Sequence, residues 1–345
     1  MTSDHPLADD LDFVLSRTEG LWESLHGQTL FLTGGTGFFG RWLLESFVWA
    51  NERLALGAQA VVLTRQPETF QSRAPHLAAN PAVRLVRGDV RNFDFPAGDC
   101  AHVIHAAADF NPELQATDPD RVTETILAGT RRTLEFARHA RAQNFLYISS
   151  GAVYGRQPAD VASVPEEFNG APDPQEPGTV YGLAKRQAEQ LCLSAAQAQK
   201  LNVKIARGFA FVGPHLPQDS FYAIGNFIRD ARRGGPVRVR GDGTPLRSYL
   251  YAADLAVWLW HILLRGQNGR AYNVGSDAGL TIADTARTVA ECFIPPPPVM
   301  IERQTSPALA ADCYVPNIER ARLELQLAPW TSLREAILKT IAALA

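Results

Sequence analysis

Three side chains in the middle of the chain have the types and spacing of a phenol-based acid/base site. Tyr181 and Lys185 lie four residues apart, which places them on one face of a helix. A nearby ammonium favours the phenolate and can lower a tyrosine pKa from about 10 by roughly one to three units. Ser150 follows an apolar run about thirty residues upstream, where its hydroxyl could hold a substrate carbonyl or alcohol. Alone, the Tyr/Lys spacing is common, and an ordinary surface pair also explains it.

The bulk properties are those of an ordinary globular enzyme. The 345 residues include 33 basic and 36 acidic side chains, for a net charge of -3 without a polybasic run, so neither nucleic acid nor a membrane is expected as a partner. The four cysteines have no Cys-x-x-Cys spacing and no cluster with histidine, and no metal site or disulfide framework is predicted. No signal peptide and no apolar run of about eighteen residues is visible. We expect a cytoplasmic protein.

Short apolar runs alternate with helical segments over the first 207 residues. Strands are predicted at 29–33, 60–64, 83–87, 101–105, 144–149 and 203–207, with helices at 38–50, 120–142 and 179–199. Strands separated by helices predict an α/β protein with a doubly wound parallel sheet, the Rossmann fold. Farther on, helices are predicted near 219–233, 252–265 and 281–292, and strands near 237–249 and 270–274.

Three parts of the chain are expected. Residues 1–27 form a helical leader with a possible cap at Asp9 or Asp10, and residues 28–207 form the dinucleotide-binding domain that carries Ser150, Tyr181 and Lys185. Residues 208–345 form a smaller α/β substrate lobe, whose C-terminal part returns in part to the main domain. The proline-rich segment 157–178 is predicted to be a long loop beside the substrate.

A glycine-rich loop joins the first predicted strand to the first helix after it. Gly34, Gly37 and Gly40 have a three-residue spacing, with Phe38 and Phe39 between the last two. Such a loop gives a tight turn, a backbone approach to a pyrophosphate and close helix packing, with the phosphates at the helix N-terminus. These five residues are predicted to bind a dinucleotide.

The end of the second strand bears on the choice between NAD(H) and NADP(H). Arg65 follows this strand, and no carboxylate appears before Glu68. Because an acidic residue here holds free ribose hydroxyls whereas an arginine holds a 2′-phosphate, NADP(H) is favoured, with NAD(H) the other possibility. After the third strand, Asp89 could accept a hydrogen bond from the adenine amino group, or serve as a turn aspartate, and Val90 follows it.

Together these motifs resemble the extended short-chain dehydrogenase/reductase family, also called the NAD-dependent epimerase/dehydratase family, which acts largely on nucleotide-activated sugars. The likeness runs from about residue 28 to 340. It includes the glycine loop, Gly88-Asp-Val90, His105-Ala-Ala-Ala108, Ser149-Ser-Gly-Ala-Val-Tyr-Gly155, Tyr181–Lys185, Arg247-Ser-Tyr-Leu-Tyr-Ala-Ala-Asp-Leu255 and Tyr272-Asn-Val-Gly275.

The resemblance implies roles for particular residues. Ser150 would be the catalytic hydroxyl, Tyr181 the acid/base, and Lys185 the group that lowers the tyrosine pKa and binds the nicotinamide ribose. The cofactor would also contact Ala106, Ala107, Ala108, Val90 and Phe209. Arg247 would hold the diphosphate of a sugar nucleotide, a role that suits a bidentate guanidinium. The remaining substrate contacts would be Asp109, Gly151 and Asn226.

Several positions depart from the family pattern. Related 4,6-dehydratases and decarboxylases carry an acidic residue one or two places after the catalytic Ser/Thr, where this chain has Gly151 and Ala152. Dehydration would need a carboxylate from elsewhere, such as Asp109 or Glu113. Two further positions that are often Asn in the family are Ala210 and Ile126 here. The contacts to the substrate are therefore expected to differ from those of the family.

Without the additional acid/base, hydride transfer at one carbon coupled to proton exchange is the chemistry expected. We predict an NADP(H)-dependent oxidoreductase that reduces a keto group of a nucleotide-linked 6-deoxy sugar, with Tyr181 protonating the oxygen that Ser150 orients. The alternative is a nucleotide-sugar 4-epimerase that retains its NAD(P) and returns the hydride to the other face. A 4,6-dehydratase and a non-catalytic NADP-binding protein are the remaining alternatives.

A homodimer is also expected, because related enzymes pair the helices near 120–142 and 179–199 into a four-helix interface. The small and apolar residues on these segments are Leu127, Thr130, Leu134, Ala137, Ala188, Leu191 and Ala195. Ordinary core packing explains the same residues equally well.

Overall fold

The computed structural model describes residues 5–108, 111–176, 178–199, 201–218, 221–304 and 312–344. Two compact units are present. Unit 1 comprises Met1–Val153, Pro172–Arg207 and Ala256–Tyr272, and unit 2 comprises Tyr154–Ala171, Gly208–Leu255 and Asn273–Ala345.

In chain order, the α-helices are α1 Ala8–Arg17, α2 Phe38–Arg53, α3 Pro67–Arg73, α4 Pro75–Ala78, α5 Pro112–Thr117, α6 Pro119–His139, α7 Val180–Gln199, α8 Ala223–Arg232, α9 Ala252–Arg265, α10 Ile282–Ala290, α11 Glu319–Leu325 and α12 Leu333–Ala342. The strands are β1 Thr29–Thr33, β2 Gln59–Thr64, β3 Val83–Arg87, β4 His102–His105, β5 Asn144–Ser150, β6 Asn202–Gly208, β7 Phe211–Val212, β8 Val237–Val239, β9 Leu246–Arg247, β10 Leu250–Tyr251, β11 Arg270–Val274, β12 Leu280–Thr281, β13 Val299–Ile301 and β14 Cys313–Tyr314. The 3₁₀ helices are Trp22–Leu25 and Gly151–Tyr154.

A seven-stranded sheet forms the centre of unit 1. Its strand order is β11-β6-β5-β4-β1-β2-β3, and the ladders that join β3, β2, β1, β4 and β5 are parallel. Strand β1 lies between β2 and β4, with Thr33 in register with His105. The order reverses at β1, so the loops after β1 and β4 open at the carboxyl edge where doubly wound sheets bind dinucleotides. The predicted fold class is confirmed.

Aromatic packing joins the sheet to its helices. On one face, the ring of Phe31 lies 4.2 Å from that of Phe136 on α6 and 5.5 Å from that of Phe93. Elsewhere in the unit, the indole of Trp260 on α9 donates to Ser46 on α2 at 2.9 Å, and both residues are buried. The Trp260–Ser46 bond fastens α2, which begins at the glycine loop, to α9.

The leader segment forms helix α1 and the first 3₁₀ helix, but its predicted cap is wrong. Leu7 occupies the N-cap position, and Asp9 and Asp10 lie inside the first turn. Carboxylates in a first turn still favour the helix dipole, which explains the misleading signal. Asp12 then accepts from the Trp49 indole at 2.7 Å and pairs with Arg53, holding α1 against α2.

Helices α6 and α7 pack against each other within unit 1. Most of the seven residues proposed above for a dimer interface are buried within the chain itself, namely Thr130, Leu134, Ala137, Ala188 and Ala195. Leu127 and Leu191 are half-buried. Core packing therefore accounts for these faces, and the homodimer stays a prediction.

The described residues of unit 2 form three small sheets, in the orders β10-β7, β12-β9-β14 and β13-β8. Part of the predicted long loop is fastened here, since Val164 bridges to Pro316 and exchanges backbone hydrogen bonds with Val315 and Asn317, each at 2.9 Å. The buried amide of Asn273 donates to the Val164 carbonyl at 2.8 Å. This part of the loop, around Val164, is therefore held by defined hydrogen bonds.

Candidate active site

Lys185 lies on the inner face of α7 and is almost completely buried. Its Nζ donates to the carbonyl of Ile148 at 2.7 Å, and lies 4.7 Å from the ring centroid of Tyr147 and 5.7 Å from that of Tyr181. Burial lowers the pKa of Lys185 to about 7, against smaller opposing effects of Cys192 and Glu189. The structure thus brings Tyr181 and Lys185 together, as their spacing predicted.

Ser150 ends strand β5 and is half-buried. Its Oγ accepts from the backbone N–H of Ala152 at 3.1 Å, inside the turn that begins the second 3₁₀ helix. The first turn of α7 abuts this helix, because a Cβ on Gly182 would lie only 2.5 Å from the Ala152 carbonyl oxygen. Ser150 and Tyr181 are therefore carried on segments in direct contact.

A buried ionic network behind this pair was missed by the sequence reasoning. Ser149 donates to Glu189 at 2.6 Å, and Glu189 accepts from Arg207 at 3.0 and 2.7 Å in a bidentate pair. Glu189 is one helical turn after Lys185 on α7, and Arg207 lies on β6. A carboxylate four residues after the lysine was the available signal. The network connects β5, α7 and β6 beneath the candidate site.

His105 fastens the end of β4 beside the glycine loop. Its Nδ1 lies 2.7 Å from Thr33 Oγ1, and its Nε2 lies 3.1 Å from Thr130 Oγ1. Because the Thr130 hydroxyl donates to the Ile126 carbonyl, it accepts from His105 Nε2–H, which leaves Nδ1 to accept from Thr33. Burial, with a contribution from Lys185, lowers the pKa of His105 to about 3, so the ring is neutral.

The glycine loop has the geometry that its sequence predicted. Gly34 has φ +70°, and a Cβ there would lie 2.6 Å from the Ala106 carbonyl carbon, while a Cβ on Gly40 would lie 2.3 Å from the Gly35 Cα. Gly37 is exposed at the N-cap of α2, where no side chain caps the helix. The backbone N–H groups of Phe38 and Phe39 are among the first of this helix, so an uncapped N-terminus is presented, as a pyrophosphate requires.

The region after β2 and β3 is rich in arginine. Arg65 is exposed, and the nearest following carboxylate, Glu68, forms an ion pair with Arg87. Asp89 is held by Arg91 through bonds of 2.9 and 3.0 Å, which keep the pKa of its carboxyl below the usual range. The carboxylate retains further acceptor positions.

Gly129 lets α6 pack closely against the segment that follows β3. Val90 is buried, and a Cβ on Gly129 would lie 2.9 Å from its Cγ1. Ala106, Ala107 and Ala108 follow β4, half-buried, and the Ala107 N–H donates to Thr33 Oγ1 at 3.2 Å.

The predicted substrate residues of unit 2 are engaged within that unit. Arg247 contacts Asp312 through Nη2–Oδ2 at 2.5 Å and a bond from Nη1 to the Asp312 carbonyl at 3.1 Å. Asn226 on α8 accepts from Arg229 at 2.9 Å. Phe209, which was predicted to contact the cofactor, packs its ring on that of Tyr314 at 4.6 Å.

Two carboxylates, Asp109 and Glu113, were considered above as sources of the additional acid or base that dehydration needs. Asp109, also a predicted substrate contact, lies outside the described residues. Glu113 is exposed in the first turn of α5, where its backbone N–H donates to Asn111. Gly151 is buried in the turn after Ser150.

The family model for the NAD dependent epimerase/dehydratase family matches residues 30–275. The chain belongs to this family. As the motifs predicted, it is an enzyme of the extended short-chain dehydrogenase/reductase type, and a nicotinamide dinucleotide is its family's cofactor. The uncapped start of α2 and the close approaches at Gly34 and Gly40 fit that group.

Among curated relatives, UDP-glucuronic acid decarboxylase 1 of Arabidopsis thaliana is 28% identical over 313 residues, covering 90% of this chain and 68% of the relative. The dTDP-glucose 4,6-dehydratase of Streptomyces antibioticus is 26% identical over 267 residues, covering 76% of this chain and 77% of the relative.

Among solved structures, UDP-glucose 4-epimerase of Thermotoga maritima, with UDP-glucose, has a TM-score of 0.75 at 20% identity, covering 92% of this chain and 98% of that chain. UDP-glucuronic acid 4-epimerase of Bacillus cereus, in complex with UDP-glucuronic acid and NAD, has a TM-score of 0.76 at 20% identity, covering 92% of this chain and 99% of that chain. These likenesses extend the fold assignment to nearly the whole chain. Within the described residues, no helix is both long and apolar enough to cross a membrane.

Proposed function

We propose that the protein is a nucleotide-sugar 4-epimerase, which oxidises and re-reduces one carbon of its substrate while its nicotinamide cofactor stays bound. The observation that carries the proposal is the turn after Ser150. Gly151 and Ala152 offer no acid or base there, whereas Tyr181 and Lys185 lie beside this turn. One proton-transfer group suffices for epimerisation, but elimination and decarboxylation require more.

Held at the glycine loop of Gly34, Gly37 and Gly40, a nicotinamide dinucleotide would supply reversible hydride transfer at the sugar carbon. Tyr181 takes the proton from the sugar hydroxyl as the carbon is oxidised, and gives it back on reduction. The Ser150 hydroxyl hydrogen-bonds the same sugar oxygen and orients it. Lys185, buried within 5.7 Å of the Tyr181 ring centroid, supplies positive charge when protonated, and so favours the phenolate that takes the proton.

A nucleoside diphosphate sugar is the proposed substrate. Arg247 can bind the diphosphate through its planar guanidinium if it gives up its bonds to Asp312. The Asp312 side chain is exposed. The relatives' names contain UDP-glucuronic acid and UDP-glucose, so these two sugars are the first to test.

A reductase of a nucleotide-linked keto sugar is the second candidate, and Arg65 favours it. A reductase must exchange oxidised cofactor for NADPH, and Arg65 is a suitable ligand for the 2′-phosphate, since the following carboxylate is occupied by Arg87. The lack of an acidic side chain at positions 151 and 152 is equally compatible with this reaction.

Product analysis with and without added cofactor separates the two candidates. Purified protein is incubated with UDP-glucuronic acid or UDP-glucose, and the sugars are resolved by NMR while reduced nicotinamide is followed by absorbance. Epimerisation predicts two interconverting sugars and no net change in nicotinamide. Stoichiometric NADPH oxidation with a 4-keto sugar nucleotide, without interconversion, would instead establish the reductase. A Tyr181→Phe variant should lose about 100-fold or more of either activity.

A further inference from the structure

Three metal-ligating side chains converge in unit 1, on segments that do not carry Ser150, Tyr181 or Lys185. His5 precedes α1, Glu45 lies on α2, and His76 lies on α4. His76 Nε2 is 2.9 Å from Glu45 Oε1 and 3.0 Å from Oε2, and His5 Nε2 is 3.5 Å from Glu45 Oε2. One ligand atom from each residue lies within 4.8 Å of the other two. We refer to these residues as the His5–Glu45–His76 cluster.

The cluster has the burial expected of a prepared site. The Glu45 side chain is 1% exposed, His5 is 10% exposed and His76 is 36% exposed. A carboxylate so deeply buried requires positive charge or strong donors around it. Arg41 supplies part of this, with Nε 3.6 Å from Glu45 Oε1, but that Nε makes no hydrogen bond within the described part of the chain.

The donor set matches a particular cation. Two imidazoles and one carboxylate are ligands that zinc takes at about 2.0–2.2 Å, with a fourth position left to water. A tetrahedron of such bonds separates neighbouring ligand atoms by about 3.3 Å. The two His–Glu separations, 2.9 Å for His76 and 3.5 Å for His5, are close to this value, and the ligand nitrogens of the two histidines lie within 4.8 Å of each other. His76 is 36% exposed, so solvent reaches one member of the cluster.

We propose that the His5–Glu45–His76 cluster binds zinc, with a water molecule as the fourth ligand. The ion fastens the segment that precedes α1 and the short helix α4 to α2. This role is independent of the proposed epimerase chemistry.

Binding requires local changes at three neighbours of Glu45. His76 Nε2 donates to the Glu45 carboxylate at 2.9 Å, so its proton must move to Nδ1 or leave before Nε2 can bind a metal. The Nδ1 of His5 accepts from the Leu7 backbone N–H at 3.2 Å, so the proton of the neutral ring is on Nε2. His5 must move that proton to Nδ1 and release the Leu7 contact before Nε2 can bind a metal. Arg41, whose side chain is 20% exposed, turns towards solvent as the ion replaces its charge.

Zinc titration of the full chain tests the proposal. Protein stripped with a chelator is titrated with zinc in competition with a chromophoric indicator, and cobalt is used separately to report coordination by its absorption spectrum. The expected result is one zinc per chain, a cobalt spectrum typical of four-coordinate nitrogen and oxygen ligands, and a raised melting temperature.

Variants assign the ion to the cluster. His76→Gln and Glu45→Gln should each weaken zinc binding at least tenfold, whereas His26→Gln, which removes an exposed histidine in the same leader, should leave it unchanged. His76→Gln is the safer variant for folding, because His76 is the most exposed ligand. Failure to bind one zinc per chain, or binding that is equally tight in folded His76→Gln, would overturn the proposal.

Discussion

Replacing Lys185 by methionine is expected to abolish turnover while making the folded protein more stable. The Lys185 side chain is buried, and its Nζ donates to the carbonyl of Ile148, which lies 37 residues earlier in the sequence. Burial lowers the pKa of Lys185 from 10.5 to about 7. Folding therefore disfavours the protonated form of this lysine. We interpret this loss of stability as retained because the positive charge is needed at the candidate active site.

The magnitude follows from this difference in pKa. At neutral pH, moving Lys185 from an unfolded chain with a pKa near 10.5 to a site with a pKa of about 7 costs about 4–5 kcal/mol. Methionine removes this cost but leaves the Ile148 carbonyl without its donor, a loss of about 1–3 kcal/mol. The variant should gain about 2 kcal/mol at pH 7. Because the unfolded chain binds more protons above pH 7, wild-type stability should rise by about 2 kcal/mol from this group between pH 7 and 9.

Urea unfolding of both proteins at several pH values measures these quantities. The pH-dependent rise should be smaller in Lys185→Met by about 2 kcal/mol. Lys204→Met is the matched control, since Lys204 is also buried, its pKa is lowered to about 8 by burial, and it bonds Asn144 at the opposite end of β5 from Ser150. Lys204→Met should keep turnover. A Lys185→Met variant that lost 1 kcal/mol or more at pH 7 would refute the reasoning.

Three further changes test other parts of the structure. Glu189→Gln should lower the free energy of unfolding by about 3–5 kcal/mol, because it leaves the buried charge of Arg207 without its carboxylate partner. Urea unfolding measures this loss, and an unchanged midpoint would contradict it. Gly34→Ala should lose dinucleotide binding in calorimetry, because the new Cβ would lie 2.6 Å from backbone atoms. Gly27→Ala is the control: Gly27 has φ +66° and no atom within 4 Å of the new Cβ, so this variant should lose only about 1–2 kcal/mol of stability and still bind. Arg65→Ala should weaken NADP(H) binding by roughly 10- to 100-fold and leave NAD(H) unchanged, and equal losses for both would remove Arg65 as the 2′-phosphate ligand.

Local signals account for what the sequence predicted well. Strands β1 and β3 match their predicted ranges, because each is a short apolar run next to a glycine. The glycine loop was predictable because a φ of +70° and a contact of 2.6 Å leave Gly34 no substitute. Helices α3, α4 and α5 were not predicted, since each is seven residues or shorter and carries no long periodic pattern.

The remaining features depend on residues far apart in sequence. Glu189 was not predicted to bind Ser149 and Arg207, because their side chains meet only once β5, β6 and α7 are assembled. The His5–Glu45–His76 cluster was missed for the same reason, since the sequence prediction of no metal site considered histidines only beside cysteines. His76 lies 31 residues after Glu45, so no motif spacing joins them.

The fate of the sugar C–H bonds in heavy water tests the central claim most directly. UDP-glucuronic acid and UDP-glucose are incubated with the enzyme in deuterium oxide, and the product carbons are examined by NMR and mass spectrometry. If Tyr181 exchanges only the hydroxyl proton while the hydride leaves and returns at one carbon, the epimerised product carries no deuterium on carbon. Deuterium at the carbon adjacent to the carboxylate or hydroxymethyl group, or release of carbon dioxide, would contradict the account, because either outcome requires an acid/base that acts on carbon.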